Sequence, residues 1–226
     1  MAANNSPLLI ALAGLKNGTG RTTLAINLAA CLSAQGYRTL LADCDTTQDA
    51  YRWAATQQGT TDSRFNPSEQ VVSCVEAAEE EGHSPLAELQ QMARKADADI
   101  LITDLPATRD YRSGALLSAA DVIVIPANGS VLEQPALNKM TQWLRELREN
   151  GARATAFILP VLDVPAADTP KSLTRYALPF LPAITRSADF ASGLAPIASP
   201  ATAEVSALAG ALIRQLQPSA AALTPA

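Results

Sequence analysis

Between Gly14 and Thr23 the chain reads GLKNGTGRTT, with glycines at Gly14, Gly18 and Gly20. Glycine adopts backbone conformations closed to other residues, so closely spaced glycines let successive N–H groups turn inward onto an anion. A hydroxyl pair follows, Thr22 and Thr23. At the start of a helix, Thr22 could bind Mg2+ and Thr23 could reach a phosphate. The common phosphate loop is G-x-x-x-x-G-K-[ST], whose lysine reaches the terminal phosphates. In this chain Arg21 stands in that lysine's place, and a lysine, Lys16, stands at the front of the loop. Arginine keeps the charge but carries a larger planar fork. The loop therefore points to phosphate binding more firmly than to rapid phosphoryl chemistry.

Three acids extend this set. Asp104 closes the apolar run ILITD, and Asp43 and Asp45 close LLADCD. A phosphate–Mg2+ site needs a carboxylate at the end of a neighbouring strand. The i, i+2 spacing of Asp43 and Asp45 puts both on one side while the chain stays extended. Taken singly, either acid reads equally well as a turn or helix-cap residue. The single histidine, His83, lies in EEEGHSP and reads as a solvated loop residue, so nothing indicates Ser–His catalysis.

Short apolar runs must hold these groups, and they alternate with helical patterns. LLIALAG precedes the glycine loop. TLAINLAACLSAQG reads as a helix closed at Gly36, and RTLLAD as a second strand. Thr47 to Gln57 fits a helix, Gly59 to Gln70 a loop, and VVSCV a short strand. Ser84 to Lys95 fits a helix with Ser84 as N-cap and Pro85 at its first position. ADILITDLP, DVIVIPA, TAFILPVLD and YALPFLPAI read as further strands, and Glu133 to Asn150 and Pro200 to Leu216 as helices. The alternation predicts an α/β fold, one domain over residues 1–216 built on a mostly parallel twisted sheet with helices on both faces. Residues 217–226 read as a loose tail. Ligands of such sheets bind at the C-terminal ends of the strands, where the loop and the three acids fall.

Composition narrows the class. The chain has 226 residues, 48% of them hydrophobic and 17% charged, which suits one domain with a substantial core. A net charge of −5 argues against a surface coated for nucleic acid, while leaving room for a local basic patch. Cys31, Cys44 and Cys74 are an odd, scattered set without metal-ligand spacing, which fits a reducing cytosol. No apolar run approaches the roughly 20 residues that span a bilayer.

In order and spacing these motifs resemble the ParA/MinD family of deviant-Walker P-loop ATPases. The family loop K-G-G-x-G-K-[ST]-[ST] is matched by KNGTGRTT. The segment LAINLAACLSAQGYRTLLADCDTTQDAYRW resembles the family's helix, second strand and D-x-D-P-Q switch. ADADILITDLPA is similar to its Walker B segment, and LLSAADVIVIPANGS to the strand after it. FLPAITRSADFASGLAPIAS resembles the C-terminal stretch of short plasmid-partition ParA proteins. No DNA-binding helix-turn-helix precedes the loop, as in that short class.

The resemblance implies ATP and Mg2+ as cofactors. Lys16, Asn17, Gly18, Thr19, Gly20, Arg21, Thr22 and Thr23 would form the nucleotide cradle. Lys16 would reach the phosphates of a partner subunit, and Asp45 would orient the hydrolytic water. Thr22, Asp43 and Asp104 would surround the metal. It further implies a homodimer closed by ATP, non-specific DNA binding, a ParB-like or other stimulating adaptor, and a cytoplasmic, nucleoid-associated protein without integral membrane segments. DNA contacts would fall on Lys171, Arg175, Arg186 and Arg214. The chain departs from the family pattern at Arg21, at Asn17 for a glycine, and at Thr46 and Ala107 for prolines. It also offers Pro160 where an adenine-reading asparagine is common. The reading is a slow ATPase that partitions or positions DNA or a protein cargo. Arg21 keeps a second reading open: a weakly hydrolysing or inactive regulator in plasmid maintenance, conjugation, or a polar secretion or pilus system.

Overall fold

The computed structural model describes residues 6–57, 65–74, 84–164 and 169–216. Seven strands form one sheet: β1 (Leu8–Leu12), β2 (Thr39–Asp43), β3 (Val71–Ser73), β4 (Ile100–Asp104), β5 (Val122–Ala127), β6 (Thr155–Leu162) and β7 (Ile184–Thr185). Their order is β3-β2-β4-β1-β5-β6-β7, and every pairing is parallel. All residues of β1, β2, β4 and β5 are buried, as expected of strands covered on both faces.

Helices cover the two faces. On one lie α1 (Arg21–Ala34), α2 (Asp49–Thr56) and α8 (Pro200–Leu216); on the other lie α4 (Pro85–Lys95), α5 (Tyr111–Ala119) and α6 (Gln134–Glu149). Two short helices, α3 (Pro67–Gln70) and α7 (Lys171–Thr174), complete the set. The pleat of β1 serves both cores: Leu8, Ile10 and Leu12 join the first, and Leu9, Ala11 and Ala13 the second.

Local signals account for several helix ends. Ser84 caps α4 by accepting the Ala87 N–H at 3.3 Å, with Pro85 following. Gly36 (φ 94°) and Gly151 (φ 96°) lie just beyond α1 and α6 in the left-handed conformation that favours glycine. Asp110 caps α5 by accepting the Ser113 N–H at 2.7 Å, a helix that the apolar pattern did not announce.

Two expectations are corrected. YALPFLPAI is a strand only at its end, since β7 begins at Ile184 and Phe180 makes a single bridge to Ile158. Pro179 and Pro182 lack the N–H groups a continuous ladder needs. Within the stretch read as loop, Pro67–Gln70 forms the short helix α3, opened by its proline. The positions before Phe65 in that stretch, His83 and the tail 217–226 lie outside the described residues.

Central β1 is flanked by β4 and β5, with the chain passing to opposite sides of it. The loop after β1 thus opens into a crevice beside the ends of β4 and β2.

Candidate functional site

The loop from Gly14 to Thr23 leaves β1 and enters α1 directly. Gly18 (φ 74°) and Gly20 (φ 87°) take left-handed backbone, and Gly20 is the N-cap of α1. No side chain caps this helix, so its first amides and its positive end face the loop.

Arg21, the first residue of α1, folds its side chain back into the loop. It is 7% exposed, and Nη1 donates to the carbonyls of Gly14 and Lys16. Nη2 lies 3.9 Å from an Asp45 carboxylate oxygen. Burial lowers the Arg21 pKa from its ordinary value, and nearby Asp104 and Asp45 oppose that shift. Lys16 is half-buried at the front of the loop, and its ammonium makes no ion pair among the described residues.

The three acids meet at one end of the sheet but play different parts. Asp43 is fully buried, and its two oxygens accept the N–H groups of Asp45 (3.1 Å) and Tyr51 (3.0 Å). It therefore fixes the Asp45 turn and the first turn of α2. Burial raises its pKa, with Tyr51 and Asp45 amides opposing the shift. Asp45 accepts the Thr47 N–H at 3.0 Å and faces Arg21 with its other oxygen. Asp104 is 1% exposed, and neither of its oxygens has a hydrogen-bond partner of good geometry. Burial raises its pKa to about 7; the Thr22 hydroxyl and Arg21 pull it down, while Asp43 and Asp45 push it further up. Among the described residues no three His, Cys, Asp or Glu side chains converge as a direct metal-ligand set.

Two clefts share Gly18, Thr19, Gly20 and Thr23 as a common wall. The larger, about 540 Å³, is polar: Arg21, Thr22, Asp45 and the Pro106–Thr108 turn line it. The smaller, about 340 Å³, is lined by Leu24, Val161, Ile184 and Phe190, with Arg186 at its edge. A polar chamber and an apolar chamber joined at a glycine loop match the phosphates and the base of a nucleotide. The buried Thr19 hydroxyl between them has no partner.

The apolar chamber depends on residues that motif reading did not single out. Asn27 of α1, 5% exposed, donates to Gly193 O at 2.6 Å and accepts the Ala195 N–H at 2.8 Å. Trp53 of α2 donates to Ser192 O at 2.9 Å. Gly193 has φ 97°, and a Cβ there would meet Trp53 at 2.2 Å. These contacts clamp the segment carrying Phe190 against α1 and α2. The only sequence signal was the aromatic and glycine spacing of SADFASG. Pro160 instead pairs with Ala127 inside the sheet, and its neighbour Val161 lines the chamber.

The four basic residues expected to touch DNA are exposed but spread over three places: α7, the end of β7 and α8. Lys171 begins α7, and Arg175 closes it, 3.2 Å from Gln134 and stacked over Tyr176. Arg214 lies in the last turn of α8. Arg186 lies at the nucleotide-sized cleft, paired with Asp163 at 3.4 Å.

Residues 10–192 match the family described as the CobQ/CobB/MinD/ParA nucleotide binding domain. The chain belongs to that family. It is 29% identical over 136 residues to the maintenance of carboxysome distribution protein A of Gloeobacter kilaueensis. That match takes in 60% of this chain and 56% of the relative's length, so the chain spans little more than half of it. A plasmid partition protein of Borrelia burgdorferi, solved with AMPPNP, superposes with a TM-score of 0.68 at 16% identity, covering 93% of this chain and 100% of that one. Cobyrinic acid a,c-diamide synthase of Mycobacterium smegmatis, solved with an ATP analogue and magnesium, gives 0.67 at 19% identity, covering 97% and 98%. At these identities the likeness is one of fold. Among the described residues no helix is long and apolar enough to cross a membrane.

Proposed function

We propose that the chain binds ATP with Mg2+, closes into a homodimer on binding, and works in the cytoplasm as a slow ATPase that partitions or positions DNA or a protein cargo. The observation that carries this reading is the Asp104 carboxylate, buried at the end of β4 beside Thr22, with no hydrogen bond of good geometry to either oxygen among the described residues. A buried acid left without partners is costly unless a ligand satisfies it. Mg2+ favours few protein ligands, waters and substrate phosphates, which fits one hydroxyl and one carboxylate better than an all-protein cage.

Thr22 and Asp104 would hold the metal, and Asp43 would add its charge from behind. Bound Mg2+ would withdraw charge from the terminal phosphates. The amides from Asn17 to Thr23 would cradle those phosphates, with Thr19 contributing its unpartnered hydroxyl. Asp45 would orient the attacking water. Lys16, without an ion pair among the described residues, would reach a second subunit's phosphates. Leu24, Val161, Ile184 and Phe190 would enclose the base. Lys171, Arg175, Arg186 and Arg214 would supply DNA contacts, and a ParB-like or other adaptor would stimulate turnover.

Arg21 favours a second reading, a binding-competent regulator with little or no hydrolysis. Its guanidinium is committed to Gly14 and Lys16 carbonyls and to Asp45, the acid assigned to the water. ATP binding, turnover and DNA retention of the natural chain, Arg21→Lys, Lys16→Ala and Asp45→Ala separate the two. Turnover that DNA or a partner stimulates, and that Lys16→Ala abolishes, supports the first. Binding without turnover, with turnover gained in Arg21→Lys, supports the second. Absence of ATP binding removes both.

A further inference from the structure

Two of the three cysteines, distant in sequence, meet beside the acid cluster. β2 and β3 are in parallel register with Asp43 opposite Ser73, so the next pair in line is Cys44 opposite Cys74. The ladder continues to that pair, since the Cys74 N–H donates to Asp43 O at 2.8 Å. Both side chains enter the same core face as Leu40 and Ala42. Neighbouring strands lie about 4.8 Å apart. That separation falls inside the roughly 4.4–6.8 Å Cα window a disulfide accepts. Both thiols are free. They are 4% and 1% exposed, and Arg112 of α5 donates to the Cys74 sulfur at 2.7 Å.

We infer that Cys44 and Cys74 are a redox pair that closes to a reversible disulfide under peroxide, and that closure disables the acid end of the nucleotide site. The second half rests on the nucleotide reading above. A guanidinium beside sulfur favours negative charge on it, which marks Cys74 as the attacking member.

The chemistry balances with one peroxide. The Cys74 sulfur attacks the O–O bond and gives two electrons to it. A sulfenic acid forms, and the thiol proton leaves with one water. The Cys44 sulfur then attacks the sulfenic sulfur: the S–S bond forms, the S–O bond breaks, and hydroxide departs as water with the Cys44 proton. Two thiols are oxidised by two electrons, and hydrogen peroxide becomes two waters. Disulfides of this kind in reducing compartments are transient and regulatory.

Closure reaches the site because of where Cys44 lies. It separates Asp43 from Asp45, and its N–H donates to Asp104 O at 3.0 Å. Disulfide-linked cysteines most often hold their Cα atoms about 5.5–6 Å apart. Register-opposed residues start near the strand spacing of about 4.8 Å. Closing the pair therefore pushes the ends of β2 and β3 apart by roughly 1 Å. Asp43, which fixes the Asp45 turn and α2, must move with it.

Cys31 is a built-in control, since it lies on α1 against the other core. The full chain is treated with hydrogen peroxide, its remaining thiols are alkylated, and it is mapped by mass spectrometry without reductant. The expected product is a linked Cys44–Cys74 peptide with Cys31 alkylated, reversed by dithiothreitol and absent in Cys44→Ser and Cys74→Ser. Amide exchange over residues 43–56 rises in the linked form, and MgATP affinity falls about tenfold, the scale of losing a partner around a metal site. Recovery of Cys44 and Cys74 as free thiols or as separate sulfinic acids overturns the pair. A linked peptide with unchanged exchange over residues 43–56 overturns the gating. Failure of the reduced protein to bind ATP removes the nucleotide reading, and the linkage and exchange measurements still decide this one.

Discussion

Replacing Asp104 with asparagine should make the metal-free protein more stable at alkaline pH while destroying its metal-dependent binding. Burial raises the folded-state pKa of Asp104 from 3.8 to about 7. The folded chain thus holds this proton to higher pH than the unfolded chain does, and ionising Asp104 opposes folding. The cost begins near the unfolded value of 3.8, grows with pH, and is complete above about 7. At about 1.4 kcal/mol for each tenfold change in protonation, the full cost is about 4 kcal/mol. Asp104→Asn removes it and leaves a buried amide without partners, a penalty of about 1–3 kcal/mol. The variant should therefore gain about 1–3 kcal/mol near pH 8. Near pH 5 only about 2 kcal/mol of the ionisation cost remains, and the gain should fall to about zero. Urea unfolding in a chelator, followed by fluorescence of Trp53 and Trp143, measures both values. MgATP binding, measured separately, should be lost. A variant less stable than the natural chain near pH 8, or an advantage that does not shrink toward pH 5, would refute the picture of Asp104 as a buried acid awaiting a cation.

Other consequences can be checked in parallel. Phe190→Ala should weaken nucleotide binding by about 1–3 kcal/mol, read by titration calorimetry, because the apolar chamber loses its aromatic wall. Gly193→Ala places a Cβ at 2.2 Å from Trp53 in left-handed backbone, and should lower unfolding stability by about 1–3 kcal/mol. Asn27→Ala should raise the KM for ATP more than it lowers kcat, since Asn27 ties the Gly193–Ala195 segment to α1 and reaches the polar chamber only through the Thr23 carbonyl. If Lys171 and Arg175 contact DNA phosphates, changing both to alanine should lower the salt slope of DNA binding by about 2, measured by filter retention across salt concentrations.

Much of this protein was written locally. Glycine spacing in GLKNGTGRTT and the runs LLIALAG and ILITD were enough to expect a strand–loop–helix and an acid beside it. Ser84, Pro85, Gly36 and Gly151 marked helix ends because capping acts over a few residues. YALPFLPAI looks like a strand by its apolar residues, while its prolines withhold the donors a ladder requires. α5 is hard to see along the chain because its apolar stripe is weak and its Asp110 cap is short-range.

Sequence alone determined the types and order of the chemical groups: the glycine loop, Lys16, Arg21, and acids at strand ends. Only the tertiary structure decided what each group faces. It sent Arg21 inward onto Gly14, Lys16 and Asp45, spent both oxygens of Asp43 on backbone amides, and left those of Asp104 without a well-formed hydrogen bond among the described residues. It also brought Asn27 to Gly193 and Cys44 to Cys74, pairs set by helix docking and strand register. Propensity, capping and periodicity act over a few neighbouring residues and can be read along the chain. Burial, pKa and partnership depend on residues far apart in sequence, and they are fixed only when the sheet closes its two cores.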